Sequence, residues 1–465
     1  MPRPPSATVS DLLALLRGEP APAAWLVQQL GVTRPVLSRL VAEAGGQVLR
    51  IGKARATAYV ARATTDAGSA WPLWRMRPDA TLEELGRLYA LRGDRFQLEA
   101  DGHRPNLMRP VENLPGHFPG LPWFLDDLRP QGFLGRTLAH RQAARLGVPE
   151  DLNRWRLRDT LLAITHTGGT GIGDLLLGQQ AADLAVAESA APADAIPVHQ
   201  RCAAYAQWAQ ATLAGEDIGS SPGGEQPKFT ATVVTPGGRY AALVKFAVPD
   251  SGQAARRWAD LLVCEHLALA CLREAGLPAA ESELVDAGGH TCLEVRRFDR
   301  TPDVLGRRGH VSLLALDAAF AGGDLHDWGL AGDRLVAAGW IDPDTATRMA
   351  CLHWFGRLIG NSDMHFGNLG FHLTDAGPLA IAPAYDMLPM SLAPSRTGAV
   401  RAANPLRPNA PERAGQISHL AHAADAAIRF WEQVAASERI QSAELRQLAT
   451  LNREAVARFA RAFRA

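Results

Sequence analysis

Residues 360–373 read GNSDMHFGNLGFHL, and residues 379–389 read LAIAPAYDMLP. A helix over Cys351–Gly360 is expected to stop at Gly360-Asn361, with apolar strands at Leu369–Leu373 and Leu379–Ala382. The polar residues between these elements therefore fall on two loops. Asp363 and Asn368 are five positions apart on the first loop, and Asp386 sits on the second. Carboxylate and amide oxygens suit a hard cation such as Mg²⁺, which makes Asn368 and Asp386 candidate metal ligands. Asp363 can accept the proton of a hydroxyl group. Asn and Asp are also ordinary turn formers, so the two loops need support from elsewhere in the chain. The reading further requires that the carboxylates of Asp363 and Asp386 open into one cavity.

Support comes from upstream. GSSPGGEQPKFTATVVTPGGRYAALVKF (219–246) begins with a Ser/Gly/Pro loop and continues into a strand at Phe229–Val234. Pro236-Gly237-Gly238 makes a hairpin turn, and a second strand, Tyr240–Phe246, carries Lys245 near its end. Such a loop with a strand lysine fits phosphate cradling; a plain surface hairpin is the alternative. The next helix, Arg256–Ala275, puts Trp258, Leu261, Leu262, Ala268, Leu269 and Leu272 on one face, with Glu265 inside that stripe. A carboxylate facing a core is costly unless paired, and Lys245 is the expected partner. A strand Lys with a helix Glu is the pair that positions phosphates in protein kinases, and the Asp363/Asn368 offset is that of their catalytic loop. LEVRRFDR (293–300) is expected to connect two lobes.

The rest of the chain sets limits. At about 100–200 residues per domain, 465 residues suggest about three domains, or two with one split into lobes. Lys+Arg 48 balances Asp+Glu 48, so any nucleic-acid binding must come from a local patch. No run approaches the roughly 18 apolar residues of a membrane span, and MPRPPSATVS lacks a leader pattern, so no membrane association is expected. Cys202, Cys264, Cys271, Cys292 and Cys351 form no CxxC pair, and an odd count suggests reduced thiols and a cytoplasmic protein. Lysine occurs only at Lys53, Lys228 and Lys245; the remaining basic residues are Arg.

Residues 1–65 hold eight basic and three acidic side chains. Ser10 is expected to cap a first helix through Leu16. A second helix fits Pro22–Leu30, with Ala24, Trp25, Val27 and Leu30 inward, and a third runs from an N-cap at Thr33 to about Glu43. QVLRIGKARATAYVAR (47–62) then reads as two strands around a basic turn. Three short helices and a basic hairpin resemble a winged helix-turn-helix, with Arg34, Ser38 and Arg39 on the recognition helix and Lys53 and Arg55 on the wing, all candidate DNA contacts. A small helical protein-interaction module, or a wing-like domain that packs on its own protein, is the alternative. Residues 64–76 look like a linker or edge strand, 112–136 like a packed irregular loop, and GGTGIGDLLLG (168–178) like turn chemistry.

GNSDMHFGNLGF with AYDMLP, preceded by RRFDR and GGEQPK, resembles the HipA-like serine/threonine kinase family of bacterial toxins over roughly residues 80–440. The added N-terminal domain resembles the YjjJ-type subgroup. The resemblance implies an α+β, two-lobed protein-kinase-like fold with an N-terminal winged helix-turn-helix: residues 1–65, then an N-terminal lobe over 66–295 and a helical C-terminal lobe over 296–465. It implies ATP and Mg²⁺ as cofactors, with Asp363 catalytic and Asn368 and Asp386 holding metal. Lys245, with Glu265, would bind phosphates beside a loop of Ser220, Ser221, Gly223, Gly224, Glu225, Gln226 and Lys228. Arg296, Arg297 and Phe298 would contact adenine, and His365, Tyr385, Met387 and Leu388 would line the nucleotide site beside Asp386. Ser221 is the serine whose autophosphorylation would shut the kinase off, with Ser220 adjacent. The implied partners are a protein substrate (in some members an aminoacyl-tRNA synthetase), DNA and an antitoxin. A DNA-binding regulator with a vestigial kinase fold and a small-molecule phosphotransferase are the competing readings.

Overall fold

The computed structural model of the chain describes residues 7–16, 19–52, 57–112, 114–167, 171–214, 226–249, 252–323, 327–395, 397–400, 404–411 and 413–463. Thr8, not Ser10, caps the first helix. Its hydroxyl accepts the Asp11 N–H, and the Asp11 carboxylate accepts the Thr8 N–H, a reciprocal pair that starts α1 (Val9–Leu15). Then follow β1 (Ala21–Pro22), α2 (Ala23–Leu30), α3 (Arg34–Ala44), β2 (Val48–Ile51) and β3 (Ala58–Ala61). The strands pair antiparallel in the order β1-β3-β2. Thr33 stands at the N-cap of α3 but its side chain makes no capping bond. Leu12, Leu26, Leu37 and Leu40 form the core of this unit. Trp25, expected inside, is 41% exposed, because Leu26 takes the inward position on α2. The other side of the β2–β3 ribbon is apolar too: Leu49, Ile51 and Val60 pack on Leu91 and Tyr89 of the next unit.

That unit was the least legible. Residues 70–76, expected as linker or edge, are the interior strand β4 (Ala70–Met76) of a five-stranded sheet. Its companions are β5 (Leu82–Ala90), β6 (Phe96–Ala100), β7 (His117–Phe118) and, after α4 (Gly132–Leu146) and α5 (Leu157–His166), β8 (Leu175–Leu177). The order is β7-β6-β5-β4-β8, all antiparallel. A register shift between Leu73 and Trp74 interrupts the period-two pattern that marks a strand. Opposite it stands Gly86, at φ 137°, where a Cβ would lie 2.1 Å from the Glu99 carbonyl oxygen. Helix α6 (Gln179–Ala190) closes the unit.

The stretch expected to form one N-terminal lobe over 66–295 thus carries two separate sheets. The second comprises β9 (Ala195–Pro197), β10 (Lys228–Thr235), β11 (Gly238–Ala247), β12 (Ser282–Ala287) and β13 (His290–Arg296), in the order β12-β13-β11-β10-β9. Alternation on β11 sends Val244 and Phe246 to one face, against Tyr205 and Ala209 of α7 (Arg201–Ala214). Ala247 and the β13 residues Leu293 and Val295 pack on Ala259 and Leu262 of α8 (Gln253–Glu274) at the other. Lys245 therefore emerges on the α8 side.

The remainder is mainly helical: α9 (Leu313–Phe320) after the short β14 (Val311–Ser312), α10 (Trp328–Ala337), α11 (Pro343–Ile359), a hairpin of β15 (Gly370–His372) and β16 (Ala380–Ile381), then α12 (Ile417–Ala436) and α13 (Ala443–Arg461). Pro343 in the first turn and the Asp342 carboxylate accepting the Thr345 N–H start α11; Gly360 at φ 77° ends it. Three groups from the first five-stranded sheet and its loops grip the turn of the β15–β16 hairpin. Arg75 and Arg104 each hold the Asp375 carboxylate, at 2.8 and 2.6 Å, and the Asn106 amide donates to the carbonyls of Thr374 and Gly377. No helix among the described residues is long and apolar enough to cross a membrane.

Candidate active site

Lys245 is 5% exposed and Glu265, on α8, is fully buried. The ammonium donates to both carboxylate oxygens of Glu265, at 2.7 and 2.8 Å, and also to the carboxylate of Asp386. The Asp386 N–H donates to Glu265 at 3.2 Å, so one buried carboxylate holds both the lysine and the backbone of the second loop. Burial opposes the charge on Lys245, but Asp386 and Glu265 outweigh it and keep the amine protonated well above its ordinary range. Burial pushes the Glu265 carboxyl up, against the pull of Lys245. Asp386 is held low by Lys245 and Lys228 despite its own burial penalty. Its backbone is left-handed, φ 53°, a conformation rare outside glycine.

The two loops meet through Asn361, at the end of α11. Its side-chain carbonyl accepts the Asp363 N–H at 3.0 Å, and its amide donates to the Asp386 carbonyl at 3.3 Å. Tyr385 adds a second tie, donating to the Gly367 carbonyl at 2.9 Å. The Asn368 amide nitrogen donates to the Asp363 carbonyl at 2.8 Å, which turns its oxygen the other way. The expectation that Asp363 and Asp386 share one cavity is not met. Asp386 lines a cavity of about 240 Å³, with Lys245, Glu265, Phe298 and Tyr385. Asp363 lines a neighbouring one of about 370 Å³, with His353, Arg357, Asn361, Ser362, Met364 and His365. Lys245 holds the Asp386 carboxylate at β11, while Asp363 is exposed and tied through its N–H to Asn361, which lines the second cavity with it.

Phe298 and Tyr385 stack at 5.9 Å in the first cavity, and Arg296 and Arg297 complete that side. Arg296 lies against the Tyr240 ring and pairs with Glu281 at 2.6 Å. Arg297 is clamped by Asp299 at 2.8 Å. Met387 and Leu388, expected in the nucleotide site, are buried and do not line this cavity; beyond the left-handed Asp386, Met387 enters the main core. His365 lies on the Asp363 side, its Nδ1 accepting the Gly367 N–H at 3.0 Å. Lys228 pairs across from Lys245 and lines a groove of about 610 Å³. Gln226 donates to the Phe246 carbonyl at 2.5 Å rather than entering the cavity. Ser220, Ser221, Gly223, Gly224, Glu225, Lys53 and Arg55 lie outside the described residues. Arg34, Ser38 and Arg39 are exposed on α3, opposite Leu37 and Leu40.

Sequence reasoning missed the apolar walls. Leu134 of α4, Ile172, Leu243, Ala280 and Val295 line the 240 Å³ cavity and carry no chemical signature. It also read 168–178 as turns. Gly171 instead accepts from Arg297 and Arg300, and the Gly173 N–H donates to Asp299, which locks Ile172 against the cavity. Despite full burial, Asp299 is held far below the carboxylate range by Arg297 and Arg300.

Two outcomes follow from this geometry. Lys245→Ala leaves Glu265 buried and unpaired, so denaturant unfolding should show a loss of about 3–5 kcal/mol, largely recovered in Lys245→Met with Glu265→Leu. A loss equally large in the double variant would show that the pair itself is not what matters. His353 is lowered to about 4 by burial, so it stays neutral in the folded chain while the unfolded chain protonates near its ordinary value. Wild type should therefore lose stability relative to His353→Gln as pH falls from about 6.5 to 4, by up to about 3 kcal/mol. A pH-independent difference in urea unfolding contradicts this.

Comparison with known proteins supplies the family. Residues 67–186 match the YjjJ-like toxin middle domain, and residues 220–458 match the HipA-like C-terminal domain. Toxin YjjJ of Escherichia coli (strain K12) is 38% identical over 396 residues, 84% of this chain and 86% of that protein. A solved structure of the Shewanella oneidensis MR-1 toxin–antitoxin system, HipA with HipB and operator DNA, shares the fold at TM-score 0.50 and 16% identity, covering 83% of this chain and 97% of that one. The middle-domain match coincides with the extra sheet built on β4–β8, the part that the kinase comparison had not anticipated. The chain belongs to the YjjJ-like toxins of the HipA-like family.

Proposed function

We propose that the protein is an ATP- and Mg²⁺-dependent serine/threonine protein kinase whose activity restrains growth. The observation that carries the reading is the buried Lys245–Glu265–Asp386 cluster in the wall of a cavity otherwise faced by Phe298, Tyr385, Leu243, Ala280 and Val295. The flat apolar part suits a purine, and the charged end suits phosphates. The donor chemistry fits Mg²⁺: Asp386 keeps 31% of its side chain exposed, and Asn368 turns an amide oxygen away from its bond to Asp363. When bound, the ion offsets charge on the phosphates. Lys245 orients the phosphates, and Glu265 holds Lys245. Asp363, on the far side of Asn361, takes the proton of the acceptor hydroxyl. Asp363 and Asp386 line separate cavities while Lys245 holds Asp386, so the reading requires that nucleotide and metal, when bound, draw the Asp386 carboxylate off Lys245 and join the two spaces; a nucleotide-bound structure that keeps them apart would end it.

Self-regulation through Ser221, or the adjacent Ser220, is part of the proposal. So is DNA binding by the N-terminal unit, with Arg34, Ser38 and Arg39 toward the major groove and Lys53 and Arg55 toward phosphate. The related HipA was solved with a separate HipB and operator DNA; here the fused domain would take DNA itself.

Incubation with radiolabelled ATP should label the chain or a protein target, and Asp363→Asn should reduce labelling by at least about 100-fold. No label with wild type favours a regulator with a vestigial site, and label on a small alcohol alone favours a small-molecule phosphotransferase. Separately, Lys53→Glu with Arg55→Glu should weaken DNA retention and reduce its log–log salt slope by about two, while Arg34→Ala with Arg39→Ala should relax its sequence preference. A sequence preference unaltered by the second pair would remove α3 from the interface.

A further inference from the structure

The N-terminal unit and the first five-stranded sheet meet at a group of side chains that the proposed chemistry does not use. Among the described residues, one set of three metal-ligating side chains converges. A carboxylate oxygen of Glu19, a carboxylate oxygen of Glu112 and a ring nitrogen of His117 lie within 4.8 Å of one another. Glu19 belongs to the N-terminal unit, between α1 and β1; Glu112 lies between β6 and β7, and His117 opens β7. The glutamates are exposed, with 67% and 44% of their side chains accessible, and alone they would be an ordinary acidic surface. His117 is different. It is 2% exposed, and neither of its ring nitrogens has a hydrogen-bond partner among the described residues. Buried polar atoms in that state are costly unless something arrives to satisfy them. Gln97, opposite His117 on β6, gives its amide to the carbonyls of Leu98 and Pro115, and its own side-chain oxygen is likewise unpartnered. Gln97 in turn stands opposite Tyr89, which packs on the N-terminal unit, so the group lies along that junction.

Charge favours a cation here. Arg95, just before β6, pairs with Glu19 at 2.5 Å and with Glu112 at 3.4 Å. Two carboxylates face one guanidinium, so one negative charge is left over. A carboxylate held by Arg through one oxygen can still ligate through the other, and such outer partners orient metal ligands. Burial and the nearby Arg95 lower the pKa of His117, which keeps the imidazole neutral, the form that ligates. Mg²⁺ prefers oxygen ligands alone, whereas one imidazole and two carboxylates suit Zn²⁺, with water in a fourth position. Bonds of about 2.0–2.2 Å require the three groups to draw closer, and the two exposed glutamates are the ones that can move. We infer that Glu19, Glu112 and His117 form a zinc site that fastens the N-terminal unit to the first five-stranded sheet. The site is separate from the Asp386 cavity, and the inference does not rest on the kinase reading.

The test titrates the full-length chain, carrying no affinity tag, with ZnCl₂ against a chromophoric chelator. Wild type should take up a saturable equivalent of zinc that excess Mg²⁺ does not displace. Glu19→Gln and Glu112→Gln, both at exposed positions, should each weaken that uptake by about tenfold or more, and His117→Leu should abolish it. The glutamine variants decide the matter even where His117→Leu perturbs packing. Asp386→Asn should leave the uptake unchanged. Zinc should also slow amide hydrogen exchange in β2 and β3 of wild type, and not in Glu19→Gln. No saturable equivalent in wild type overturns the site, and so does uptake that survives both glutamine variants unweakened. Uptake lost in Asp386→Asn places the zinc in the other cavity and overturns it as well. Zinc uptake with unaltered exchange in β2 and β3 overturns the fastening role.

Discussion

One buried ion pair organises the site. Glu265 sits fully inside the protein, where an unpaired carboxylate is not tolerated, and Lys245 on the neighbouring strand neutralises it. The same carboxylate accepts the Asp386 N–H, and the same ammonium attracts the Asp386 side chain. A strand, a helix and a loop far apart in sequence are thereby fixed to one another at a point facing the cavity. Remove the charge balance and the loop loses its side-chain tie to β11 and its backbone tie to α8. The pair does not gain its value from net stability, since apolar substitutes often match buried ion pairs. Its value is that it specifies where Asp386 must lie.

The legible parts of the sequence were those where chemistry and pattern conflict. Glu265 within an apolar stripe and Lys245 on an apolar strand each demanded a partner, and each is the other's. The placement of Asp363 and Asn368 on a loop after α11, and of Asp386 on a loop after β16, was readable from the apolar runs that flank them. What could not be read were surfaces made by ordinary apolar residues from distant segments. Leu134 and Ile172 lie more than a hundred residues before Asp299; Ile172 is held at the cavity by the Arg297–Asp299–Arg300 cluster, which binds Gly171 and Gly173, and Leu134 comes to it from α4.

Errors arose where backbone geometry broke a sequence pattern. The register shift at Leu73/Trp74 disguised an interior strand as a linker. The left-handed turn at Asp386 sent Met387 into the core rather than along the cavity. The division between the Asp363 and Asp386 cavities has a similar origin: Asn361, taken for a turn former, is the side chain that stands between them and bonds to both loops.

The grip of Arg75, Arg104 and Asn106 on residues 374–377 has a mechanical meaning. That turn joins the strand leaving Asn368 to the strand approaching Tyr385, so the hairpin is the arm from which both polar loops hang. The extra sheet acts as a splint on that arm. The contacts fix the sheet to the hairpin from which Asn368 and Tyr385 extend in opposite chain directions. The N-terminal unit, packed on Leu91 and Tyr89 of the same sheet, is thus joined to the loops of Asn368 and Tyr385 through contiguous packed side chains and ion pairs.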